Sequence, residues 1–279
     1  MIKLGDYNTL RIKRRTEHGL VLDGGETEGN ILLPQRYVTK AMRPGQEIEV
    51  FIYLDQDERP VATTEHPTAK VGEFACLQVA WINEFGAFLN WGLMKDLFCP
   101  FREQKKRMEI GNHYMVYIRI DEESYRLMAT AKVEKYLQAA SAEDQLKHGQ
   151  AVDCLVWQKT DLGFKVIVDN KYQGLIYDNQ IFQPLTMGNR FTGYIDHVRQ
   201  DGKIDITLQP TGRQHTLDFA EVLLRYLYEN GGHCELGDKS PAELIYDRFK
   251  VSKKAYKKAI GDLYRRRLIT ISDEGIALV

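Results

Sequence analysis

Several features that mark particular classes of protein are missing from this sequence of 279 residues. No run of apolar residues is long enough to cross a membrane, and no charged-then-apolar segment indicates a signal peptide. The four cysteines lie far apart and form no CxxC pair, which argues against a disulfide framework or a zinc site. We therefore expect a protein of the reducing cytoplasm with no membrane partner.

A strong excess of basic residues is missing too. Lys and Arg number 38 against 39 Asp and Glu, which gives a formal net charge of −1. This balance argues against a nonspecific polyelectrolyte binder of nucleic acid, because such proteins usually carry a basic footprint. Any nucleic-acid binding must then rest on local patches and on stacking. The charged and hydrophobic fractions, 28% and 43%, are those of an ordinary soluble protein.

Catalytic motifs are also missing. The sequence has no Walker-type glycine-rich loop, no HExxH, and no Ser or Cys nucleophile in a recognisable setting. Paired acids such as Glu122-Glu123 fall in turns between predicted strands, and the seven histidines are scattered. We therefore predict no catalytic residue, no metal ligand and no cofactor, and we expect that the protein is not an enzyme.

A spacing of glycines occurs three times along the chain. The first two glycines of each copy are 14 residues apart, and the second and third are 26, 25 and 25 apart, at Gly5, Gly19 and Gly45, then Gly72, Gly86 and Gly111, then Gly149, Gly163 and Gly188. This shared spacing indicates an internal repeat.

Each copy of the repeat predicts five short strands. Alternation of apolar and polar residues is clearest after the third glycine, over Glu47–Leu54, His113–Ile120 and 190–195. An acidic turn and a last strand then close each copy. Five strands in roughly 65 residues predict a small Greek-key barrel of the oligonucleotide/oligosaccharide-binding (OB) type. An SH3-like barrel is the structural alternative.

The stretch Asn83–Trp91 in the second copy contains candidate binding residues. Phe85 and Phe88 flank a Gly-Ala pair in a run that otherwise predicts a strand, and the small residues leave room for a ligand. Rings displayed on a strand hold single-stranded nucleic acid, because every base has a π-face. The alternative is that Phe88 faces the core, since a one-residue shift of register exchanges the two faces.

The second copy resembles an S1 domain, an RNA-binding barrel. Its Phe-Gly-Ala-Phe sequence at 85–88 matches the Phe-Gly-x-Phe bend of that family, which implies that both phenylalanines contact RNA. In the first copy these two positions are His18 and Val21, and in the third they are Leu162 and Lys165. Only the second copy therefore keeps the stacking pair.

Two further positions of the S1 pattern can be followed through the three copies. The family's histidine is replaced by Leu33, Cys99 and Tyr177. A basic residue opens every last strand, and its recurrence predicts phosphate contact, although a single exposed charge is usually only solubilising. The candidate RNA-binding residues are Phe85, Phe88, Arg126, His18, Arg59, Lys165, Tyr177 and Lys203.

The pattern changes from strands to helices beyond Pro210. A helix from about Leu217 is stopped by Asn230-Gly231-Gly232, a second starts at Ser240-Pro241, and Ser252 caps a third. A hairpin around 272–275 follows. Three helices and a β-hairpin predict a winged helix, whose third helix occupies the recognition position.

Four lysines lie off the apolar face of the third helix, at Lys253, Lys254, Lys257 and Lys258. They predict contact with duplex DNA or RNA. The alternative is that they form only a solvated face, because many winged helices bind protein instead.

The fold class predicted is mostly β with a C-terminal α+β domain. It comprises three tandem five-stranded OB-fold (S1-like) barrels and a winged helix. Residues 131–142 lack Gly and Pro and are rich in helix formers, which predicts a spacer helix. The predicted segments are barrel 1 over 1–66, barrel 2 over 67–131, a helical linker over 132–147, barrel 3 over 148–210 and the winged helix over 214–279.

Three S1-like barrels followed by a winged helix resemble the conserved virulence factor B family of bacterial RNA-binding regulators. The most specific parts of this resemblance are 238–249 and 252–264. It implies a cytoplasmic protein that binds single-stranded RNA and affects gene expression after transcription. A DNA-binding transcriptional regulator that uses the winged helix, and a scaffold on ribosome or polymerase proteins, are the alternatives. The RNA sequence and the oligomeric state stay open.

Overall fold

The structure is a computed structural model that describes residues 2–181, 184–208, 213–249, 251–272 and 274–279. The chain divides into two compact units, Met1–Tyr136 and Leu137–Val279. Among the described residues, no helix combines the length and apolar character needed to cross a membrane. The predicted boundary at Pro210 and the hairpin residue Asp273 lie outside the described residues.

The first unit contains two closed five-stranded barrels. Barrel 1 has the strands β1 (Tyr7–Thr16), β2 (Gly19–Asp23), β3 (Asn30–Pro34), β4 (Glu47–Leu54) and β5 (Pro60–Thr63), with a short helix α1 (Gly25–Glu28). Barrel 2 has β6 (Phe74–Ile82), β7 (Gly86–Asn90), β8 (Leu97–Pro100), β9 (His113–Ile120) and β10 (Leu127–Thr130). In both barrels the third and fifth strands pair in parallel, and all other pairs are antiparallel.

The second unit contains a third barrel of the same topology and a helical domain. Barrel 3 has β11 (Ala151–Thr160), β12 (Gly163–Val168), β13 (Tyr172–Tyr177), β14 (Arg190–Val198) and β15 (Ile204–Thr207). The helical domain has α2 (Arg213–Glu229), β16 (His233–Cys234), α3 (Ala242–Phe249), α4 (Lys253–Arg265), β17 (Ile269–Ser272) and β18 (Gly275–Leu278). The predicted fold class, three five-stranded barrels and a winged helix, is confirmed.

The middle glycine of the repeat is required by a close approach of two strands. A Cβ added at Gly19 would lie 2.0 Å from the carbonyl oxygen of Leu33, and one at Gly163 would lie 1.9 Å from that of Ile176. Both glycines also have positive φ angles, 142° and 143°, which other residues rarely adopt. Steric exclusion at this point of each barrel therefore explains why the spacing of 14 could be found in the sequence.

Barrels 1 and 2 share one hydrophobic core cluster. Phe51 of barrel 1 is fully buried and meets the ring of Trp91 edge-on, with centroids 5.8 Å apart. The backbone joins the barrels too, because Val71 N–H donates to the carbonyl of Gly5 at 2.9 Å. The two barrels are therefore packed as one body.

The segment 132–147 does not form the predicted helical linker, so that prediction is wrong. It contains two short 3₁₀ turns, Val133–Tyr136 and Ala142–Asp144. In the first unit, Val133 is fully buried and the Tyr136 ring stacks on Tyr117 at 4.0 Å. In the second unit, Gln138 forms a β-bridge with Tyr172. These tertiary contacts outweigh the helix propensity of the segment.

The third helix of the winged helix begins where the sequence predicts. The Ser252 hydroxyl accepts a hydrogen bond from Ala255 N–H at 3.1 Å, which is the predicted cap. Its apolar face is buried in the core of the domain and consists of Tyr256, Ala259, Ile260 and Leu263. The remaining faces of α4 are thus available to solvent.

Candidate nucleic-acid interface

The outward position of Phe88 follows from the pairing of β6 with β7. The strands pair Trp81 with Phe88, and the register shifts between Val79 and Trp81. Ala87 and Leu89, on either side of Phe88, are fully buried, so Phe88 points to the opposite, outer face. Phe88 is half-buried there, and the core alternative for this residue is excluded.

Phe88 lies inside a ladder of three aromatic rings. The Trp81 ring is stacked on Phe88, with centroids 3.6 Å apart and planes at 3°, and Phe98 lies on the other side at 5.0 Å. Trp81 Nε1–H donates to Asp96 Oδ2 at 2.9 Å, which fixes the orientation of the indole. Trp81 remains 45% exposed, and its outer face is open to a ligand.

Phe85 stands at the edge of this ladder, on the turn between β6 and β7. It is 65% exposed. The turn is ordered by Asn83, whose Oδ1 accepts hydrogen bonds from Phe85 N–H at 2.8 Å and from Gly86 N–H at 3.0 Å. The exposed ring is therefore held on a defined backbone. We call Trp81, Phe85, Phe88 and Phe98 the aromatic platform.

Sequence reasoning missed Trp81 and Phe98. Simple alternation along β6 would place Trp81 on the same side as Leu77 and Val79, which are buried. The bulge after Val79 reverses this order and turns Trp81 outward. No local signal marked that bulge, although the strand pairing makes Phe98 the neighbour of Phe88 once the register is known.

The equivalent positions in the other two barrels carry no such ladder. Both barrels have the same register shift, between Ile12 and Arg14 and between Val156 and Gln158. The residues that correspond to Trp81, Phe88 and Phe98 are Arg14, Val21 and Leu32 in barrel 1, and Gln158, Lys165 and Leu175 in barrel 3. The outer faces thus share a backbone but differ in chemistry.

His18 of barrel 1 and Lys165 of barrel 3 have different surroundings. His18 is exposed, and its Nε2 lies 3.3 Å from the carboxylate of Glu17. Lys165 is half-buried, with its ammonium 5.3 Å from the centre of the Trp157 ring. Lys165 therefore caps a buried indole, and neither residue lies on the aromatic platform.

The basic residue that opens each last strand is paired with an acid. Arg59 lies 2.9 Å from Asp55 and 2.7 Å from Asp57, and Lys203 lies 2.6 Å from Asp201. Arg126 pairs with Glu58 of barrel 1 at 2.5 Å. A phosphate would have to compete with these carboxylates. Of the three cations, Arg126 lines the groove beside the aromatic platform.

Tyr177 does not occupy the repeat position predicted for it. It pairs with Gly163 in the way that Pro100 pairs with Gly86 and Pro34 with Gly19. The residue equivalent to Cys99 and Leu33 is the fully buried Ile176. The proposed equivalence was therefore wrong by one residue, because Ile176 follows Gly163 by 13 residues, as Cys99 follows Gly86. The Tyr177 hydroxyl accepts a hydrogen bond from Arg199 at 2.9 Å.

A groove of about 630 Å³ opens beside the aromatic platform, between barrels 1 and 2. Its wall from barrel 1 includes Tyr53, Gln56 and Glu58. Barrel 2 supplies Lys95 and three of the four platform rings, Phe85, Phe88 and Phe98. Lys95 is half-buried, and burial lowers the pKa of its ammonium, while the nearby carboxylates of Glu58 and Asp55 act in the opposite direction. The groove therefore combines an aromatic wall with a half-buried cation.

The four candidate lysines of α4 differ in their surroundings. Lys253 is half-buried and its Nζ lies 3.4 Å from the carbonyl oxygen of Lys239. Lys257 lies 3.6 Å from the carboxylate of Asp238. Among the described lysines of α4, Lys254 and Lys258 are exposed and form no ion pair.

Comparison with protein families gives two matches. Residues 221–278 match a model described as a CvfB-like winged helix domain, and residues 4–65 match the S1 domain. The S1 match falls on barrel 1, whereas the sequence resemblance rested on barrel 2. S1 and winged-helix domains are nucleic-acid-binding types, and neither of these families is enzymatic. The two matched segments thus indicate nucleic-acid binding.

Relatives align over most of the chain. A Bacillus subtilis (strain 168) protein named YitL is 27% identical over 268 residues, which cover 94% of this chain and 89% of that protein. Conserved virulence factor B of Staphylococcus aureus (strain N315) is 24% identical over 240 residues, with 84% and 80% covered. A solved Streptococcus pneumoniae TIGR4 structure, described as a multidomain protein with nucleic acid binding domains, is 20% identical, with 99% and 98% covered and a TM-score of 0.43.

Proposed function

We propose that this chain, which resembles the conserved virulence factor B family in its S1 and winged-helix domains, binds single-stranded RNA through the aromatic platform of barrel 2. The observation that carries the proposal is the stack of Trp81 on Phe88, with the exposed ring of Phe85 beside it. Bases stack on such rings with little regard to sequence, at about 1–3 kcal/mol per base.

Single strands suit this surface better than duplexes. A ring stacks only on a base whose face is uncovered, and the bases of a duplex cover each other. The net charge of −1 also leaves little long-range attraction for a duplex. We therefore propose unpaired RNA as the partner, with stacking as the main source of affinity.

A role in gene regulation after transcription is part of the same proposal. It draws on the resemblance to proteins named conserved virulence factor B, whose name describes a contribution to virulence. Binding without catalysis suits a protein whose matched domains are not enzymatic types. We propose the cytoplasm as its location, where its RNA partners are made.

Titration of the intact protein with labelled RNA tests the function. A single-stranded RNA and a duplex DNA of the same sequence are compared at two salt concentrations. The single strand should bind more tightly, with a shallow salt dependence, because few phosphates are neutralised. Tighter binding of the duplex would contradict the proposal and favour the winged helix as the main site.

Substitution of Phe85 separates binding from folding, because its ring is largely exposed. Phe85→Ala should weaken RNA binding by about 1–3 kcal/mol. Met94→Ala is the matched control, since Met94 is 64% exposed in the same barrel and does not line the groove. Equal affinities of the two variants would count against the aromatic platform.

We propose an accessory contact with duplex DNA or RNA for the winged helix. The observation in its favour is that Lys254 and Lys258 are exposed on α4, the helix in the recognition position. Replacing both with alanine should weaken duplex binding and reduce its salt slope by about 2. Binding of single-stranded RNA should change little. Loss of single-strand affinity in this variant would mean that the winged helix is a main site.

A further inference from the structure

The groove between barrels 1 and 2 is continuous with the aromatic platform. Phe85, Phe88 and Phe98 belong both to the platform and to the groove wall. Asp96 also joins the two, because it lines the groove and accepts the hydrogen bond from Trp81 Nε1. A strand held on the platform therefore has its next nucleotide at the mouth of the groove.

The groove has the size and lining of a site for one small polar molecule. Its volume of about 630 Å³ lies within the roughly 300–1,000 Å³ of ligand pockets. Its apolar lining includes the buried residues Tyr53, Trp91 and Leu97. A flat base can lie against such a lining, while its edge needs polar partners.

Lys95 supplies hydrogen-bond donors in the lining of the groove. Its Nζ donates to the carbonyl oxygen of Asp55 at 2.6 Å. An ammonium carries three N–H donors, so this half-buried residue of the groove lining has donors beyond the one used for Asp55. A carbonyl oxygen of a ligand would satisfy one of them.

Glu58 of barrel 1 supplies an acceptor in the lining of the same groove. One of its oxygens, Oε1, pairs with Arg126 at 2.5 Å. A carboxylate has two oxygens and about four lone-pair sites, so acceptor capacity remains. Glu58 and Lys95 also lie close enough for the carboxylate to affect the ammonium. The lining of the groove thus contains a donor from barrel 2 and an acceptor from barrel 1.

We propose that this groove recognises one RNA base next to the aromatic platform, and that it prefers uracil or guanine. Both bases present a carbonyl oxygen beside an N–H on the Watson–Crick edge, which complements Lys95 and Glu58. Cytosine and adenine present an amino group beside an unprotonated ring nitrogen, which is the reverse order. The inference rests on the proposed RNA binding and adds base selection to it.

Binding of oligouridylate and oligocytidylate of equal length tests the preference. Uracil and cytosine have rings of the same size, so a difference in affinity reflects their Watson–Crick edges. The intact protein should bind oligouridylate about tenfold more tightly. Lys95→Met, which keeps an apolar stem of similar length, should bind both oligomers equally. Lys95→Arg should keep the preference, because it restores the donor.

Lys132→Met is the matched control. Lys132 is also half-buried in the first unit, and its Nζ donates to a backbone carbonyl, that of Arg102. It does not line the groove. This variant loses the same charge and should keep the preference for oligouridylate. Equal affinities of the intact protein for the two oligomers, or an unchanged preference in Lys95→Met, would overturn the inference.

Photo-crosslinking gives a second readout that needs no variant. RNA with 4-thiouridine should crosslink to the tryptic peptide 41–70, which contains Tyr53, Gln56 and Glu58. Crosslinks confined to the peptide 71–95, which contains Trp81 and Phe85, would show that RNA bypasses barrel 1. In that case the platform stands and the groove proposal fails. If no RNA binds at all, both fail.

Discussion

Trp81 lies flat on Phe88, with ring centroids 3.6 Å apart and planes at 3°. Phe88 is thereby covered on one side, and Trp81 is the outermost ring of the stack, 45% exposed. The hydrogen bond from its Nε1 to Asp96 holds the indole in this position. A base that stacks on Trp81 therefore meets a surface that is already ordered, and little conformational entropy is lost on binding.

The fluorescence of Trp81 should report RNA binding. The other two tryptophans, Trp91 and Trp157, are 2% and 5% exposed, so a ligand on the platform reaches Trp81 first. We expect single-stranded RNA to quench part of the emission. Trp81→Phe should keep much of the affinity, because a ring remains, but should lose the quenching. Quenching that persists in Trp81→Phe would mean that RNA also affects Trp91, which lines the groove, or Trp157.

Phe51→Ala should destabilise barrel 2 although Phe51 belongs to barrel 1. Its buried ring packs against Trp91 in the shared core, and loss of a buried phenylalanine costs about 3–5 kcal/mol. Hydrogen exchange should show reduced protection in β6 and β9. Ile52→Ala is the control, because Ile52 is equally buried but faces the core of barrel 1 alone. Unchanged protection of barrel 2 in Phe51→Ala would mean that the two barrels are energetically independent.

Gly19→Ala should destabilise barrel 1 far more than Gly45→Ala. Both glycines have positive φ angles, 142° and 90°, so each substitution carries strain, roughly 1–2 kcal/mol. At Gly19 the new Cβ would also lie 2.0 Å from the carbonyl oxygen of Leu33, whereas at Gly45 its nearest neighbour is a flexible Arg11 nitrogen at 3.9 Å. Urea unfolding measures the difference. Similar losses at both sites would show that the backbone shifts to relieve the clash.

The protein should lose stability in mildly alkaline solution because of two buried thiols. Burial raises the pKa of Cys99 and of Cys154 to about 12. An unfolded thiol ionises near pH 8.5, so the full stability is present below that pH. Above it the unfolded chain releases protons that the folded chain keeps, and stability falls until the pH reaches the folded value of about 12.

Urea unfolding between about pH 8 and pH 9.5, below the range where tyrosines ionise, measures this loss. The double variant Cys99→Ala, Cys154→Ala should show a flatter dependence on pH, whatever its stability at neutral pH. If the stability of the double variant falls with pH as steeply as that of the unmodified protein, groups other than these two thiols cause the alkaline loss.

The family resemblance and the domain types were predicted correctly from the sequence, as the CvfB-like winged helix and S1 matches confirm. Strands such as β4 and β9 have the bounds that alternation predicts. The cap at Ser252 was found because a serine cap followed by an amphipathic helix is a local pattern. The candidate site was found only in part, since Phe85 and Phe88 are local to one turn while Trp81 and Phe98 come from neighbouring strands.

Features imposed by short-range sterics and by periodicity could be predicted from the sequence. These are the three repeats, marked by glycines at positions of positive φ or of close strand contact, and the winged helix. Contacts between side chains from different strands depend on the three-dimensional packing of the chain. A bulge turned Trp81 outward, and packing converted the linker into 3₁₀ turns. The packing of barrel 1 against barrel 2 brought Glu58 and Lys95 into the lining of one groove. Such contacts depend on register and on distant residues, and neither is encoded in a local window of sequence.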